Sequence, residues 1–316
     1  MTSLTRRQSL RLVVAGFGAA TFQDPFFNCS AAEPPPNRGK IGLGFSLYGM
    51  PGLPVEQALR LCSQIGYDDV ELSLLPDSPT EPSALGPSQR ADLKALLGTL
   101  NLRLAALMVN LPLLVEGAAR QANLDRLQAA AELAHALAPD SPPVIETVLG
   151  GKPSDWPDVR DRMLDRLRDW AAVGQSTRTV VAIKAHVNNA LHTPEDERQL
   201  VQALNSPWLK LVFDYSHFVM LPTGLEKSLD LLLPDTAFIH VKDRAPDPKR
   251  VQFLLPGEGS TDYAEYFRLL DRRGYRGSVT VETSAQIFKQ PGYDAERAAR
   301  QCFAHLSAAM TQAGLR

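Results

Sequence analysis

Three short apolar runs constrain this chain more than any other feature, because each ends in residues able to hold a cation or move a proton. They are Leu209–Asp214 (LKLVFD), Phe238–Asp243 (FIHVKD) and Ser278–Ser284 (SVTVETS). Side chains along a strand alternate between faces. Leu209, Leu211 and Phe213 therefore share one face, and Lys210, Val212 and Asp214 the other. The same count sets Ile239 and Val241 opposite Phe238, His240 and Lys242, and Val279 and Val281 opposite Thr280 and Glu282. Three successive strands thus deliver Asp214, His240 and Glu282 to one side. A closed parallel barrel supplies the reason: outward faces pack on helices, while polar inward residues at strand C-termini converge at one mouth.

The rest of the chain fits that frame. From Lys40 onward, strand-like segments at 41–48, 69–75, 102–110, 144–149, 179–186, 209–214, 237–242 and 277–283 each precede a helix-like segment. Gly66 stops the first helix and Thr193-Pro194 opens the fifth, as capping chemistry predicts. Eight such pairs predict an α/β fold of the (β/α)8 TIM-barrel type, and residues 40–316 suit its typical length of about 250 residues. A doubly wound open sheet is disfavoured, since no G-x-G-x-x-G follows the first strand and polar residues end strands along the whole chain.

Composition narrows the partners. The 316 residues are 44% hydrophobic and 22% charged with net charge −2, which describes a globular chain with a large core. A near-neutral balance argues against nucleic acid and anionic membranes as partners. Residues 1–32 carry Thr5-Arg6-Arg7-Gln8-Ser9-Leu10 before the apolar run 12–22, with Ser30-Ala31-Ala32 beyond it. This pattern is similar to a twin-arginine export signal, and predicts an extracytoplasmic protein with no membrane contact after cleavage. Residues 33–39, with their Pro34-Pro35-Pro36 run, read as a stiff linker. Cys62 and Cys302 fall in the first and last predicted helices, and two separate buried thiols are expected over a disulfide. Composition leaves self-association into a homo-oligomer open.

From strand 5 onward the motifs AIKAH (Ala182–His186), FDYSH (Phe213–His217), HVKD (His240–Asp243), PGEG (Pro256–Gly259) and VETS (Val281–Ser284) appear in order at strand ends. Together they resemble the sugar phosphate isomerase/epimerase superfamily built on the xylose isomerase-like barrel. The resemblance implies a small carbohydrate or polyol substrate and proton transfer beside a carbonyl, as isomerisation, epimerisation or elimination. It also implies one divalent ion (Mn, Mg, Co or Zn) held by an acidic residue after strand 5, with Asp214, His240 and Glu282 as the other ligands.

Lys184 stands where that first acidic ligand belongs. A protonated ammonium cannot ligate a cation, and its charge beside one is unfavourable at low dielectric. Either the ion stays on Asp214, His240 and Glu282, with His186 added and Lys184 neutral, or Lys184 replaces the ion. A catalytic lysine, as proton carrier or Schiff-base nucleophile, and a non-catalytic carbohydrate-binding barrel that lost its ligand set are further readings.

Lys184, Glu282 and Glu146 are the catalytic candidates, and Glu71, His217, Lys242 and His186 the substrate-binding ones. Glu71 and Glu146 share the inward parity of their strands, and a carboxylate inside a barrel requires a partner. Glu146 can supply part of the missing acidic charge beside Lys184. His217 follows Asp214 by three residues, matching the D-x-x-H pattern of the family. Lys242 and Asp243 are expected to contact substrate oxygens or to pair with each other.

Overall fold

The computed structural model describes residues 39–247 and 249–316. The export signal and most of the linker predicted from the sequence lie outside the described residues. Eight parallel strands close on themselves: β1 (Gly42–Ser46), β2 (Asp69–Ser73), β3 (Arg103–Met108), β4 (Val144–Val148), β5 (Val181–Lys184), β6 (Leu209–Phe213), β7 (Thr236–Val241) and β8 (Ser278–Val281). Closure comes from β1 pairing with β8, Gly42 opposite Ser278 and Phe45 opposite Val281.

Eight main helices alternate with them: α1 (Val55–Ile65), α2 (Pro87–Thr99), α3 (Gly117–Leu137), α4 (Trp156–Thr177), α5 (Pro194–Leu204), α6 (Gly224–Leu232), α7 (Tyr263–Arg272) and α8 (Ala295–Gln312). Their ends follow local chemistry. Thr193 Oγ1 accepts from Asp196 N at 3.1 Å and Asp262 Oδ1 from Glu265 N at 2.9 Å, relieving helix amides that lack an intrahelical acceptor. Gly66 closes α1 at φ 106°, a left-handed conformation that a side chain would strain.

The expected strand parity holds. Leu209, Leu211, Phe213, Ile239, Val241, Val279 and Val281 join the large core between barrel and helices. Ala106, Val144, Ala182, Val212 and Phe238 form a separate small core inside the barrel. Above that apolar floor the interior turns polar toward the C-terminal mouth. On β1 the inward position Gly44 leaves room for Thr280, whose Oγ1 would lie 2.3 Å from an added Cβ. Cys62 and Cys302 are buried free thiols, as expected.

The fifth strand is shorter than its sequence suggests. It ends at Lys184, and His186 sits in a turn, with its carbonyl accepting from Asn189 N at 2.7 Å and its amide donating to Leu191 O at 3.0 Å. Glu197 of α5 explains the break: its Oε1 accepts from Ala185 N at 2.9 Å, so that amide is taken by a side chain.

Candidate active site

Lys184, Asp214, His240, Lys242 and Glu282 meet at the mouth, with Glu71 and Glu146 beneath them. Lys184 Nζ lies 2.9 Å from His240 Nδ1 and 3.0 Å from Glu282 Oε2. Lys242 Nζ donates to the same Glu282 Oε2 at 2.6 Å and also to Asp214 Oδ2. Two ammonium groups therefore stitch four strands together, β5 to β8. Each has three N–H donors and spends two on these partners. His240 Nε2 faces Glu71 Oε2 at 3.1 Å.

Charge follows contact. Burial works against the Lys184 ammonium, but Glu146 at 3.9 Å and Glu282 outweigh it and hold the lysine well above its ordinary range. Without an ion Lys184 is therefore held as an ammonium. Burial likewise opposes the Asp214 and Glu282 carboxylates, yet Lys242 beside Asp214, and Lys184 and Lys242 beside Glu282, keep both well below the usual range. The lysine bond to His240 Nδ1 needs a lone pair there, which assigns the ring a proton on Nε2, directed at Glu71. Glu146 has no hydrogen-bond partner for either oxygen, and burial pushes it up to about 7 although Lys184 pulls it down.

The remaining candidates divide. His217 Nε2 lies 3.3 Å from Asp214 Oδ2, and its Nδ1 accepts from Val187 N at 3.4 Å. Burial lowers it to about 4 despite Asp214, so the ring is neutral near pH 7. His186 stacks on His217 with centroids 4.2 Å apart, its Nδ1 accepting from Asn188 N, and burial drives it to about 2. It faces a ring, and joins neither group of clustered ligand atoms described below. Its expected place on the strand, one step above Lys184, is lost because the strand stops first. Glu71 is fully buried behind His240, which makes it a partner of that ring and removes it from substrate contact. Lys242 and Asp243 do not pair: Asp243 Oδ2 accepts from Gly257 N at 2.8 Å and Gly259 N at 2.9 Å, pinning the PGEG loop. Near the mouth, Phe218 is core, while half-buried Tyr48 stands edge-on to Phe288 at 4.9 Å.

Two groups among the described residues bring three ligand atoms within 4.8 Å of one another: Glu71, Glu146 and His240, and Asp214, His240 and Glu282. This is spacing that could hold a divalent ion, but neither group fits one as it stands. In the second, all three facing atoms already accept from Lys184 or Lys242. In the first, the histidine nitrogen carries a proton, and a ligating imidazole nitrogen must offer a lone pair.

Sequence reasoning passed over Glu197. It is wholly buried between α5 and β5, its Oε2 has no partner, and burial raises it to about 8. A signal existed: Glu197 shares the apolar stripe of α5 with Leu200, Val201 and Leu204, where a charge is out of place.

Fold and site together define a closed (β/α)8 barrel with a polar centre at the C-terminal ends of its later strands, the face where such barrels carry their chemistry. The chain belongs to the xylose isomerase-like TIM barrel family, whose model matches residues 59–308. It is 25% identical over 139 residues to an inosose dehydratase of Yersinia enterocolitica, a match covering 38% of this chain and 46% of the relative. The chain thus spans less than half the length of that relative. The fold is shared with the IolI protein carrying a bound zinc atom, at TM-score 0.71 and 18% identity over 86% of this chain and 98% of that one. It is shared also with D-psicose 3-epimerase of Clostridium cellulolyticum H10 in complex with D-tagatose, at TM-score 0.68 and 16% identity over 86% and 99%.

Proposed function

We propose that this chain is an enzyme acting on a small carbohydrate or polyol by moving a proton at a carbon next to a carbonyl, giving isomerisation, epimerisation or elimination. The observation that carries this is the pair of ammonium groups, Lys184 and Lys242, each with one donor to spare, beside Glu282. At 13% side-chain exposure Glu282 is the most accessible carboxylate of the centre, against at most 1% for Asp214, Glu71 and Glu146. Relatives of the family carry the names of a dehydratase and an epimerase, which supports the reaction class.

In this reading the substrate carbonyl oxygen takes the spare N–H of Lys184 and Lys242. Negative charge developing on that oxygen as the neighbouring C–H bond breaks is stabilised by two fixed cations. Glu282 accepts the proton. Its low proton affinity in the resting site, set by the charges of Lys184 and Lys242, rises as the negative charge developing on the substrate oxygen offsets those same cations. Glu146, raised to about 7 behind Lys184, replaces the proton when that ammonium gives one of its own to the substrate. A protonated Lys184 has no lone pair, which disfavours Schiff-base chemistry. His186, a half-buried neutral ring packed on buried His217, is the substrate-hydroxyl contact. The Arg6-Arg7 pair supports export of the enzyme from the cytoplasm.

Incubation with D-psicose, D-tagatose and an inosose in deuterated buffer tests the reading. Wild type should place deuterium at the carbon beside the carbonyl of at least one sugar, and Glu282→Gln should not. Sugars that shift the melting temperature yet never exchange would establish a carbohydrate-binding barrel without catalysis. Neither binding nor exchange would remove the carbohydrate class.

A further inference from the structure

The mouth has the three-residue set Asp214, His240 and Glu282, and it has two cations of its own. Asp214 Oδ2 is bonded to Lys242, His240 Nδ1 lies 2.9 Å from Lys184, and Glu282 Oε2 lies 3.0 Å from Lys184 and 2.6 Å from Lys242. A divalent ion bound by these same atoms must sit about 2.0–2.2 Å from each. That volume is the one the two Nζ atoms occupy. The lysines cannot simply share it: a unit charge about 4 Å from another costs about 4 kcal/mol at an effective dielectric near 20, and a divalent ion doubles this for each lysine.

Nor is there an easy retreat. Both lysine side chains are 3% exposed, so neither ammonium reaches water by a small rotation. Lys184 is flanked on its other side by Glu146 at 3.9 Å. Within the bridged set, two ammonium groups face the two carboxylates they bridge. Lys184 at the end of β5 therefore acts in concert with Lys242, which follows β7, two strands further round the barrel.

We infer that this centre works without a divalent ion: Lys184 and Lys242 jointly take the bridging place of the cation, and their spare N–H groups form a two-ammonium cradle for one electron-rich ligand oxygen, of the carbonyl or enolate kind. The inference uses the residues of the proposed activity but not the activity, since metal is read on the resting protein. A failure of turnover and a bound ion are thus separate results.

The test measures metal in the full-length protein. Wild type, Lys184→Glu and Asp214→Asn are purified from medium supplemented with Mn2+ and Zn2+, analysed for elemental content, and titrated with Mn2+ by electron paramagnetic resonance. Wild type should hold well under one equivalent and bind no Mn2+ tightly. Lys184→Glu should take up one equivalent, with Mn2+ affinity raised on the order of a hundredfold or more, because the charge facing the ion changes by two. One equivalent of ion in wild type that Asp214→Asn removes would overturn the inference, as would equal Mn2+ affinity in wild type and Lys184→Glu. An ion that Asp214→Asn leaves in place lies elsewhere, and the inference stands. Should Lys184→Glu fail to fold by circular dichroism, wild type and Asp214→Asn decide: a stoichiometric ion that Asp214→Asn removes overturns the inference, and wild type without an ion at this site upholds it.

Discussion

Replacing Glu197 by Gln should change how stability responds to pH while leaving the fold intact. The Glu197 carboxyl is fully buried, so solvent screening does not dilute its effect, and burial lifts it from 4.5 to about 8. An acid with a raised value in the folded state holds its proton more tightly there than when unfolded. Its stabilising contribution is therefore complete below about pH 4.5 and is lost as pH rises to about 8. The interval of about 3.5 pH units, at 1.36 kcal/mol each, gives roughly 3–5 kcal/mol. Glutamine keeps an oxygen for the Ala185 amide and cannot ionise. Urea unfolding followed by circular dichroism at pH 5, 7 and 9 should show the variant close to wild type at pH 5 and clearly more stable at pH 9. Parallel stability curves from pH 5 to 9 would refute the reasoning, because the carboxyl would then be carrying its charge at no cost.

Two other substitutions probe separate parts of the account. Lys242→Met leaves Asp214 and Glu282 with an uncompensated buried charge, and should cost about 3–5 kcal/mol in chemical denaturation; a loss below about 1 kcal/mol would mean the bridging bonds do not form in solution. Arg6→Lys with Arg7→Lys should retain the precursor in the cytoplasm on fractionation, and undiminished export would remove the twin-arginine reading.

The barrel and the inward placement of Asp214, His240, Glu282 and Lys184 were legible in the sequence because both rest on local periodicity. A strand repeats every two residues, so apolar Leu211 and Ile239 fix where Val212 and His240 point whatever the partner strands do. Lys184 was legible too, as one inward lysine at the end of one strand. What Lys242 does was not. Its partners Asp214 and Glu282 stand 28 and 40 positions away in the chain, and Lys184 reaches Glu282 across 98, separations that only barrel closure turns into bonds. His186 shows the same limit from the other side. Parity carried it onto the face of Lys184, but a buried glutamate from the following helix takes the Ala185 amide and the strand ends at Lys184, two residues short of it. Alternation within a strand is a property of the local backbone, whereas where a strand stops and which charges meet depend on competition among groups brought together by folding.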